Sequence, residues 1–243
     1  MAEMTAAVQA KHDEHAPDVA WLRERYGHLD GRDLLAAMIR EAFPGRIALV
    51  SSFGSESAVL IDMIAEIDPA TPILFLNTGK LFGETLRYRD TLQERFGLTD
   101  LRTLKPDPEE VKAEDRNGLL WTRNLDACCD LRKTRPLDKA LEGFDAWITG
   151  RKRFQTQTRA SLPLIEESEG RIKINPLANH SLEDLQRIAN EKDLPRHPLV
   201  ADGYLSIGCM PCTKRVAPGE DYRSGRWAGT DKTECGIHVA ENI

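Results

Sequence analysis

No apolar run in the 243-residue sequence approaches the roughly 20 residues that a helix needs to cross a bilayer. The first 18 residues are polar and lack the apolar stretch of a signal peptide. An excess of basic residues is also missing, since 33 lysines and arginines face 39 acidic residues, for a net charge of −6. We therefore expect a soluble, cytoplasmic protein that binds neither membranes nor nucleic acid.

Two common nucleotide-binding loops are missing as well, since neither GxxxxGK[ST] nor GxGxxG occurs. Cysteine is scarce, and its count of five is odd. In a reducing cytosol, cysteines serve as metal ligands or catalytic groups more often than they form disulfides. The spacing of these five residues is therefore the first indication of function.

The length of the chain and its hydrophobic share of 41% are sufficient for one well-packed core. We predict a single α/β domain over residues 21–225. Residues 1–20 show no sustained periodicity and are predicted to be a flexible leader, whereas residues 226–243 are predicted to be a mobile, loop-rich C-terminal tail. The sequence leaves open whether the chain forms a homo-oligomer.

Short apolar runs alternate with helical patterns along most of the chain. This alternation predicts an α/β fold with a mainly parallel, twisted sheet and helices on both faces. The predicted strands are 47–50, 73–76, 101–104 and 146–149, with 171–175 as a further candidate. The predicted helices are 21–43, 58–66, 84–96 and 181–192, the last with a cap at Ser181 supported by Asp184.

Three of the predicted strands are followed by small or polar residues, at Ser51, Asn77 and Gly150. Ligands of parallel α/β sheets bind at the carboxyl ends of the strands. We therefore expect the three loops that begin at these residues to face one crevice.

The loop after the first strand reads Ser-Ser-Phe-Gly-Ser-Glu-Ser over residues 51–57. Free backbone N–H groups and the dipole of the following helix favour an anion there, although an ordinary serine-capped turn is an alternative. Residues 52–57 resemble the SGGxDS pyrophosphate loop of ATP pyrophosphatases, in the variant found in the phosphoadenylyl and adenylyl sulfate reductase family. Phe53 and Glu56 depart from the pyrophosphatase pattern and leave less room for a triphosphate.

This resemblance implies a fold like that of the adenine nucleotide alpha hydrolases. It also implies that the loop contacts a phosphosulfate substrate. The implied substrate-binding residues of the loop are Ser52, Phe53, Gly54 and Ser57.

Four of the five cysteines form two pairs, Cys128 with Cys129 and Cys209 with Cys212. Four thiolates are enough for a metal centre. Zinc is one alternative, although adjacent cysteines suit tetrahedral zinc poorly, and a redox disulfide between Cys209 and Cys212 is another. A 4Fe-4S cluster spreads its irons over several ångströms and accepts two adjacent thiolates, so it is the preferred hypothesis.

Both cysteine pairs lie in segments that resemble the cluster-bearing adenylyl sulfate reductases. The run Cys-Cys-Asp-Leu-Arg-Lys-Thr-Arg-Pro-Leu from Cys128 is similar to their CC-x-x-R-K-x-x-P-L segment, and residues 208–213 match their second cysteine pair. The resemblance implies a 4Fe-4S cluster on all four cysteines. It also implies a preference for the substrate without a 3'-phosphate, since reductases restricted to the 3'-phosphorylated substrate lack these cysteines.

The fifth cysteine, Cys235, lies in the sequence Glu-Cys-Gly-Ile-His near the end of the chain. A cysteine on a frayed terminus is normally a plain surface residue. This pentapeptide resembles the ECG-x-H tail of the same family, whose cysteine carries the sulfur chemistry. The resemblance implies that Cys235 is the nucleophile and that His238 contacts the substrate or positions the tail.

An arginine-rich segment follows the fourth predicted strand, at residues 150–159. Runs of charge are usually solvated surface, and we expect this of Arg151 and Lys152. Arg159 resembles the arginine that closes the family's G-x-R motif. The resemblance implies that Arg159 binds phosphate or sulfate oxygens, which suit the planar guanidinium.

A second basic segment, residues 223–227, lies between the second cysteine pair and the tail. Arg223 and Arg226 resemble the family's R-x-G-R-W element, which implies contacts with the same anionic groups. Lys133 resembles the lysine that lies between cluster and substrate in the family, where one positive charge stabilises both. The alternative for Lys133 is an ordinary lysine on a helix surface.

The combined resemblance implies a two-step reaction. The Cys235 thiolate attacks the sulfur of adenylyl sulfate, AMP leaves and an S-sulfocysteine remains. A thiol of thioredoxin, or of a similar dithiol protein, then attacks this adduct and releases sulfite, as part of sulfate assimilation and cysteine biosynthesis.

Other functions remain as alternatives. The nearest is a reductase that uses the 3'-phosphorylated substrate, alone or in addition. An ATP pyrophosphatase would share the first loop, and a metal-dependent redox sensor would account for four cysteines. Neither of these last two accounts for Cys235 in its tail.

Overall fold

The computed structural model describes residues 18–238. Most of the predicted leader, residues 1–17, lies outside this range, as do the last five residues of the predicted tail. The division into leader, domain and tail stays a prediction. Asp18 caps the first helix, which begins at Val19, inside the stretch predicted as leader.

A six-stranded sheet forms the centre of the described residues, in the strand order β3-β2-β1-β4-β6-β5. The first five strands of this order are parallel to their neighbours, and β5 is antiparallel to β6 at one edge. The strands are β1 (Ile47–Ser51), β2 (Ile73–Leu76), β3 (Leu101–Leu104), β4 (Ala146–Ile148), β5 (Ile165–Ser168) and β6 (Arg171–Ile174).

Helices cover both faces of this sheet. They are α1 (Val19–Tyr26), α2 (Gly31–Ala37), α3 (Ser57–Ile67), α4 (Gly83–Phe96), α5 (Pro108–Glu114), α6 (Leu120–Arg123), α7 (Leu125–Cys129), α8 (Arg135–Leu141) and α9 (Leu182–Glu191). Two π-helical turns extend α2 and join α7 to α8, at Met38–Ala42 and Asp130–Thr134.

Alternate residues of β1 pack into two separate apolar clusters. Ile47 and Leu49 belong to the larger cluster, which includes side chains of α1 to α4 and α9. Ala48 and Val50 belong to a smaller one that includes residues of α8. Because the strand is buried on both sides, its sequence is a continuous apolar run without polar alternation.

All five predicted strands are present, and so is the predicted mainly parallel sheet between helices. The prediction of one helix over residues 21–43 is wrong, because Gly27 ends α1 and a new helix starts after Asp30. The edge strand β5 was not predicted, since only Ile165 of its four residues is fully buried. The predicted cap of α9 is confirmed, as Ser181 and Asp184 bond reciprocally to each other's backbone N–H.

None of the helices within residues 18–238 has both the length and the apolar character that a bilayer span requires.

A buried histidine joins α4 to the C-terminal part of the chain. His197 is 1% exposed, its Nε2 lies 3.0 Å from the Thr85 hydroxyl, and its Nδ1 accepts the Leu199 N–H at 3.2 Å. Burial lowers the pKa of this imidazole to about 4. The folded protein therefore holds His197 neutral under mildly acidic conditions.

The free energy of unfolding should fall as the pH drops from about 6.5, the ordinary histidine pKa, towards 4. In that window the unfolded chain binds a proton at His197 that the folded chain excludes, at a cost of up to about 1.4 kcal/mol per pH unit. The variant His197→Asn keeps an acceptor for the Leu199 N–H but cannot titrate. Urea unfolding across this range should show a shallower pH slope for the variant, and identical slopes would contradict the prediction.

Candidate active site

The loops after β1, β2 and β4 meet at the carboxyl edge of the sheet. Ser51, Thr78 and Gly150 from these loops line a single cavity of about 190 Å³. The expectation of one shared crevice is therefore confirmed. Strand β1 lies between β2 and β4, so the cavity occupies the position where the chain changes direction across the sheet, which is the usual ligand site of such folds.

The loop after β1 divides its residues between cavity and core. Ser52, Gly54 and Ser57 line the cavity, and the Ser57 hydroxyl closes the turn by donating to the Gly54 carbonyl at 2.8 Å. Phe53 adopts a positive φ of 51° and is fully buried, with its ring edge-on to Phe75 at 5.2 Å. Of the four predicted loop residues, Phe53 thus places its side chain in the core and away from the cavity.

A partly buried acidic residue stands directly before α3. Glu56 accepts hydrogen bonds from the Tyr222 hydroxyl at 2.6 Å and from Gln155 Nε2 at 3.2 Å, and it forms an ion pair with Lys152. These contacts join the first loop to the loop after β4 and to the C-terminal segment. Sequence reasoning noted Glu56 only as a departure from a motif.

Arg151 and Lys152 were expected on the solvated surface, and this is wrong. They are 8% and 4% exposed. Lys152 pairs with Glu56, and Arg151 pairs with Glu166 of β5. Both follow β4 at the carboxyl edge of the sheet, and a partly buried carboxylate compensates each charge.

Three arginines predicted to bind anions line the cavity together. Arg159 is 5% exposed, and Arg223 and Arg226 are partly buried. Burial, together with the neighbouring Arg159 and Arg226, lowers the pKa of the Arg223 guanidinium to about 10. Neighbouring cations destabilise each other's charged form, and an anion bound between them would relieve this repulsion.

The Arg226 guanidinium packs closely against Gly208. A Cβ atom at Gly208 would lie 2.4 Å from a terminal nitrogen of Arg226. On its other side the guanidinium lies 4.5 Å from the centroid of the Trp227 ring. Gly208, which precedes the second cysteine pair, thus allows an arginine to pack directly on the backbone.

Several buried polar atoms at this cavity lack a hydrogen-bond partner among the described residues. They are the Nε atoms of Arg223 and Arg226, Nε1 of Trp227 and Nδ1 of His238. Buried polar groups in proteins nearly always have a partner, so these four atoms are available to a polar ligand or to ordered water. Trp227 was not predicted as a site residue, although it belongs to the same sequence element as Arg226.

The described part of the tail closes the cavity. Cys235 is 9% exposed, and its Sγ lies 3.5 Å from Nζ of Lys133. His238 stacks on Trp147 with ring centroids 6.0 Å apart, and Ile237 packs against the smaller apolar cluster. The predicted nucleophile and the predicted lysine are therefore adjacent, while Trp147 is a contact that sequence reasoning missed.

The surroundings of Cys235 favour its thiolate. A hydrogen bond from Cys129 and the Lys133 ammonium hold the pKa of the Cys235 thiol well below its usual range, although burial opposes them. The same hydrogen bond and burial raise the pKa of Cys129. Burial also lowers the pKa of His238, which lies among Arg151, Arg159 and other cations and is therefore neutral.

The two cysteine pairs are held near one another by the loop after β2. The Thr78 hydroxyl lies 3.2 Å from Cys209 Sγ, and Thr78 also accepts a hydrogen bond at its carbonyl from Arg132, at 2.9 Å. Burial, together with the neighbouring Cys209, raises the pKa of both Cys128 and Cys212. Cys128, Cys209 and Cys212 therefore lie close enough to influence one another's ionisation.

The fourth paired cysteine has a different neighbour. Cys129 contacts Cys235, and within residues 18–238 no three His, Cys, Asp or Glu side chains converge as metal ligands. All five cysteines are free thiols, so the alternative of a Cys209–Cys212 disulfide is not present in this structure. The four paired cysteines are buried or partly buried and lie on two adjoining segments. Thiolates are the soft ligands that hold iron–sulfur clusters, so the chemistry of this set of donors fits such a cluster.

An ion pair fixes the segment that carries Lys133. Arg132 donates through NH2 to the Asp115 carboxylate at 2.7 Å, and these side chains are 8% and 0% exposed. Asp115 also accepts the Leu120 N–H at 2.7 Å. The pair joins the turn after α7 to the loop before α6, so it positions both Cys129 and Lys133.

The family model of the phosphoadenosine phosphosulfate reductase domain matches residues 46–215, more than half of the chain. The chain belongs to this reductase family. The match includes both cysteine pairs and Arg159, and it ends before Arg223 and Cys235. The resemblance inferred from the sequence motifs is thereby confirmed.

Curated members of the reductase family are similar over nearly all of the chain. Adenosine 5'-phosphosulfate reductase of Mesorhizobium japonicum is 52% identical over 94% of this chain and 90% of its own length. The enzyme of the same name from Mycolicibacterium smegmatis is 42% identical over 82% of this chain and 85% of its own length. The similarity therefore extends beyond the residues that the family model matches.

Solved structures confirm the predicted fold class. Phosphoadenylyl-sulfate reductase from Candida auris, in a phosphate complex, superposes with a TM-score of 0.68 at 28% identity, over 82% of this chain and 96% of that one. FMN adenylyltransferase from Candida glabrata gives a TM-score of 0.54 at 13% identity, over 84% and 69%. The second likeness shows the fold alone.

Replacing Asp115 should destabilise the reductase more than an equivalent change at the surface. Asp115→Asn leaves the buried Arg132 charge unpaired, and we expect a loss of about 3–5 kcal/mol of unfolding free energy in urea at neutral pH. The control Asp100→Asn breaks a partly exposed pair with Arg102 and should cost less than about 1 kcal/mol. Equal losses for the two variants would contradict the role given to the buried pair.

Proposed function

We propose that the chain reduces adenylyl sulfate to sulfite and AMP, with Cys235 as nucleophile and thioredoxin or a similar dithiol protein as reductant. The observation that carries this proposal is the position of Cys235 in an arginine-lined cavity, 3.5 Å from the Lys133 ammonium. The names of the curated relatives supply the substrate class.

Positive charge is the main requirement for binding this substrate. A phosphosulfate is anionic, and its charge must be offset before a thiolate can approach the sulfur. Arg223 and Arg226 have unpartnered buried Nε atoms that phosphate or sulfate oxygens would satisfy. Arg159, Lys133 and the backbone of the loop at Ser52 and Gly54 would add further donors.

In the first step, the Cys235 thiolate attacks the sulfate sulfur. A sulfur–sulfur bond forms, the bond between sulfur and the bridging oxygen breaks, and AMP leaves with the electron pair of that bond. Lys133 balances the negative charge of thiolate and sulfate as they meet. His238, neutral and stacked on Trp147, would hold the tail and offer Nδ1 to the substrate.

In the second step, a thiolate of the dithiol protein attacks the Cys235 sulfur and displaces sulfite. A mixed disulfide results, and the partner's second thiol resolves it, so the partner supplies both electrons and Cys235 returns as a thiolate. Thiol chemistry of this kind needs a reducing compartment, which supports a cytoplasmic location. The predicted mobility of the tail would let Cys235 reach the partner protein.

We further propose that Cys128, Cys129, Cys209 and Cys212 hold a 4Fe-4S cluster. For Cys129 this means exchanging its contact with Cys235 for a bond to iron. When bound, the cluster would supply a structural tie between the two cysteine segments and an electrostatic contribution near Lys133, without carrying electrons.

The nearest alternative is the 3'-phosphorylated substrate, alone or in addition. The structural likeness to the Candida auris enzyme supports this alternative. The several arginines that line the cavity could also offset the charge of one more phosphate. The higher identity to adenosine 5'-phosphosulfate reductases favours the unphosphorylated substrate.

Anaerobically purified protein, supplied with thioredoxin and a reductant, should release sulfite from adenylyl sulfate. We expect a kcat/KM at least about tenfold higher than for the 3'-phosphorylated compound, equivalent to about 1.4 kcal/mol of transition-state binding. Sulfite release from the 3'-phosphorylated compound alone would replace the proposal with its alternative. Turnover of ATP without sulfite would overturn both.

Two cysteine variants should separate the nucleophile from the cluster ligands. Cys235→Ser should lower sulfite release by at least about 10³-fold, because the nucleophile is gone, while keeping about four iron atoms per chain. Cys212→Ser should lose iron and the visible absorption of the cluster. Full sulfite production by Cys235→Ser would exclude it as nucleophile, and stoichiometric zinc in the wild-type protein would exclude the cluster.

A further inference from the structure

One ion pair attaches the tail to the wall of the cavity. Arg159 donates through Nε and NH2 to the two carboxylate oxygens of Glu234, with NH2 to Oε2 at 2.6 Å. The two side chains are 6% and 15% exposed. A forked arginine–carboxylate contact that is this well buried is among the strongest polar contacts a protein makes.

Glu234 directly precedes Cys235, so the ion pair fixes the nucleophile from its N-terminal side. On the C-terminal side, Ile237 packs against the smaller apolar cluster and His238 stacks on Trp147. The thiol is thereby held between two attachments. Without the first attachment, the backbone before Cys235 would depend on distant contacts for its position.

On the N-terminal side of Cys235, the nearest other ion pair of the tail is too exposed to replace this one. Lys232 pairs with Asp126, but the Asp126 side chain is 85% exposed. Ion pairs in water contribute little to stability. The position of Cys235 beside Lys133 therefore depends strongly on Glu234.

Arg159 has capacity for a second partner. A guanidinium carries five N–H donors, and in addition to the two given to Glu234 a third goes to Gln155. Two N–H donors are left among the described residues, and Arg159 lines the cavity. The same side chain can hold the tail and contact an anion.

We propose that Glu234 is a positioning residue, which through Arg159 holds Cys235 in the cavity at the point where the anionic substrate binds. This inference rests on the proposed function. Glu234 makes no bond to the substrate, and its carboxylate lowers the net positive charge that an anion meets. Loss of that charge should therefore slow the reaction of Cys235 without weakening the binding of AMP.

The test compares Glu234→Gln with the matched control Asp231→Asn, which removes one negative charge from an exposed position in the same tail. Each full-length variant is treated with iodoacetamide in the absence of substrate. Trypsin then cleaves after Lys232 to give the peptide 233–243, whose single cysteine is Cys235. Mass spectrometry of this peptide gives the alkylation rate of Cys235 alone. Rates are taken at the alkaline plateau, where the thiol is fully ionised and a changed pKa has no effect.

Glu234→Gln should raise the plateau alkylation rate of Cys235 at least about fivefold, because the closed tail loses its buried ion pair, and Asp231→Asn should match the wild type. In a single turnover with adenylyl sulfate, Glu234→Gln should form S-sulfocysteine about tenfold more slowly while the Kd for AMP is unchanged or lower. Glu234→Asp, which keeps the charge, should recover part of the rate.

The inference would be overturned if both Glu234 variants were alkylated, and formed S-sulfocysteine, at the wild-type rates. It would also be overturned if Glu234→Gln bound AMP more weakly while its alkylation rate stayed unchanged. Either result leaves the proposed function standing, since that depends on sulfite release by the wild-type protein. If the wild type releases no sulfite, the proposed function fails whatever the alkylation rates are. Glu234→Asp remains a valid test if Glu234→Gln does not fold.

Discussion

Positive charge buried at the carboxyl edge of the sheet is the constraint that the surrounding structure has to satisfy. Three cations there are each less than 10% exposed, and each pairs with a carboxylate from a different part of the chain. The pairs are Arg151 with Glu166, Lys152 with Glu56, and Arg159 with Glu234. Burying a cation without such compensation is costly. The first loop, the edge strand and the tail are therefore brought to one place by charge as well as by apolar packing. Arg223 and Arg226 keep unpartnered Nε atoms, and an anionic ligand would compensate their charge.

The sheet provides the rigid frame for this arrangement. Its central strands are buried on both faces, so their ends are fixed and the loops that follow them start from set positions. The chemically important groups lie on those loops and on the C-terminal segment, which has only short helical turns among its described residues after α9. Functional groups on loops that a rigid sheet positions are common in enzymes. A C-terminal segment without long helices can also move, as a nucleophile requires when it meets first a small substrate and then a protein partner.

Much of the fold was predictable because its central strands are unbroken apolar runs, as in Ile47–Ser51, and because Ser181 begins a helix by a purely local hydrogen-bond pattern. The strand Ile165–Ser168 and the short helices between Pro108 and Leu141 were missed, since they carry little periodicity and depend on tertiary contacts. In the site, cysteines and arginines could be found from motifs. The partners of these residues could not, because a contact such as Arg159 with Glu234 joins positions 75 residues apart. For the same reason Arg151 and Lys152 were taken for surface residues.

The loop after β2 also constrains the order in which the molecule can be assembled. Thr78 contacts both the turn after Cys129 and the later cysteine Cys209, and Leu81 forms a backbone bridge with Cys209. During synthesis, strands β1 to β6 emerge before the segment that carries Cys209. The two cysteine pairs can therefore meet only after all six strands have been synthesised, and a group that needs both pairs can bind to both only after that point.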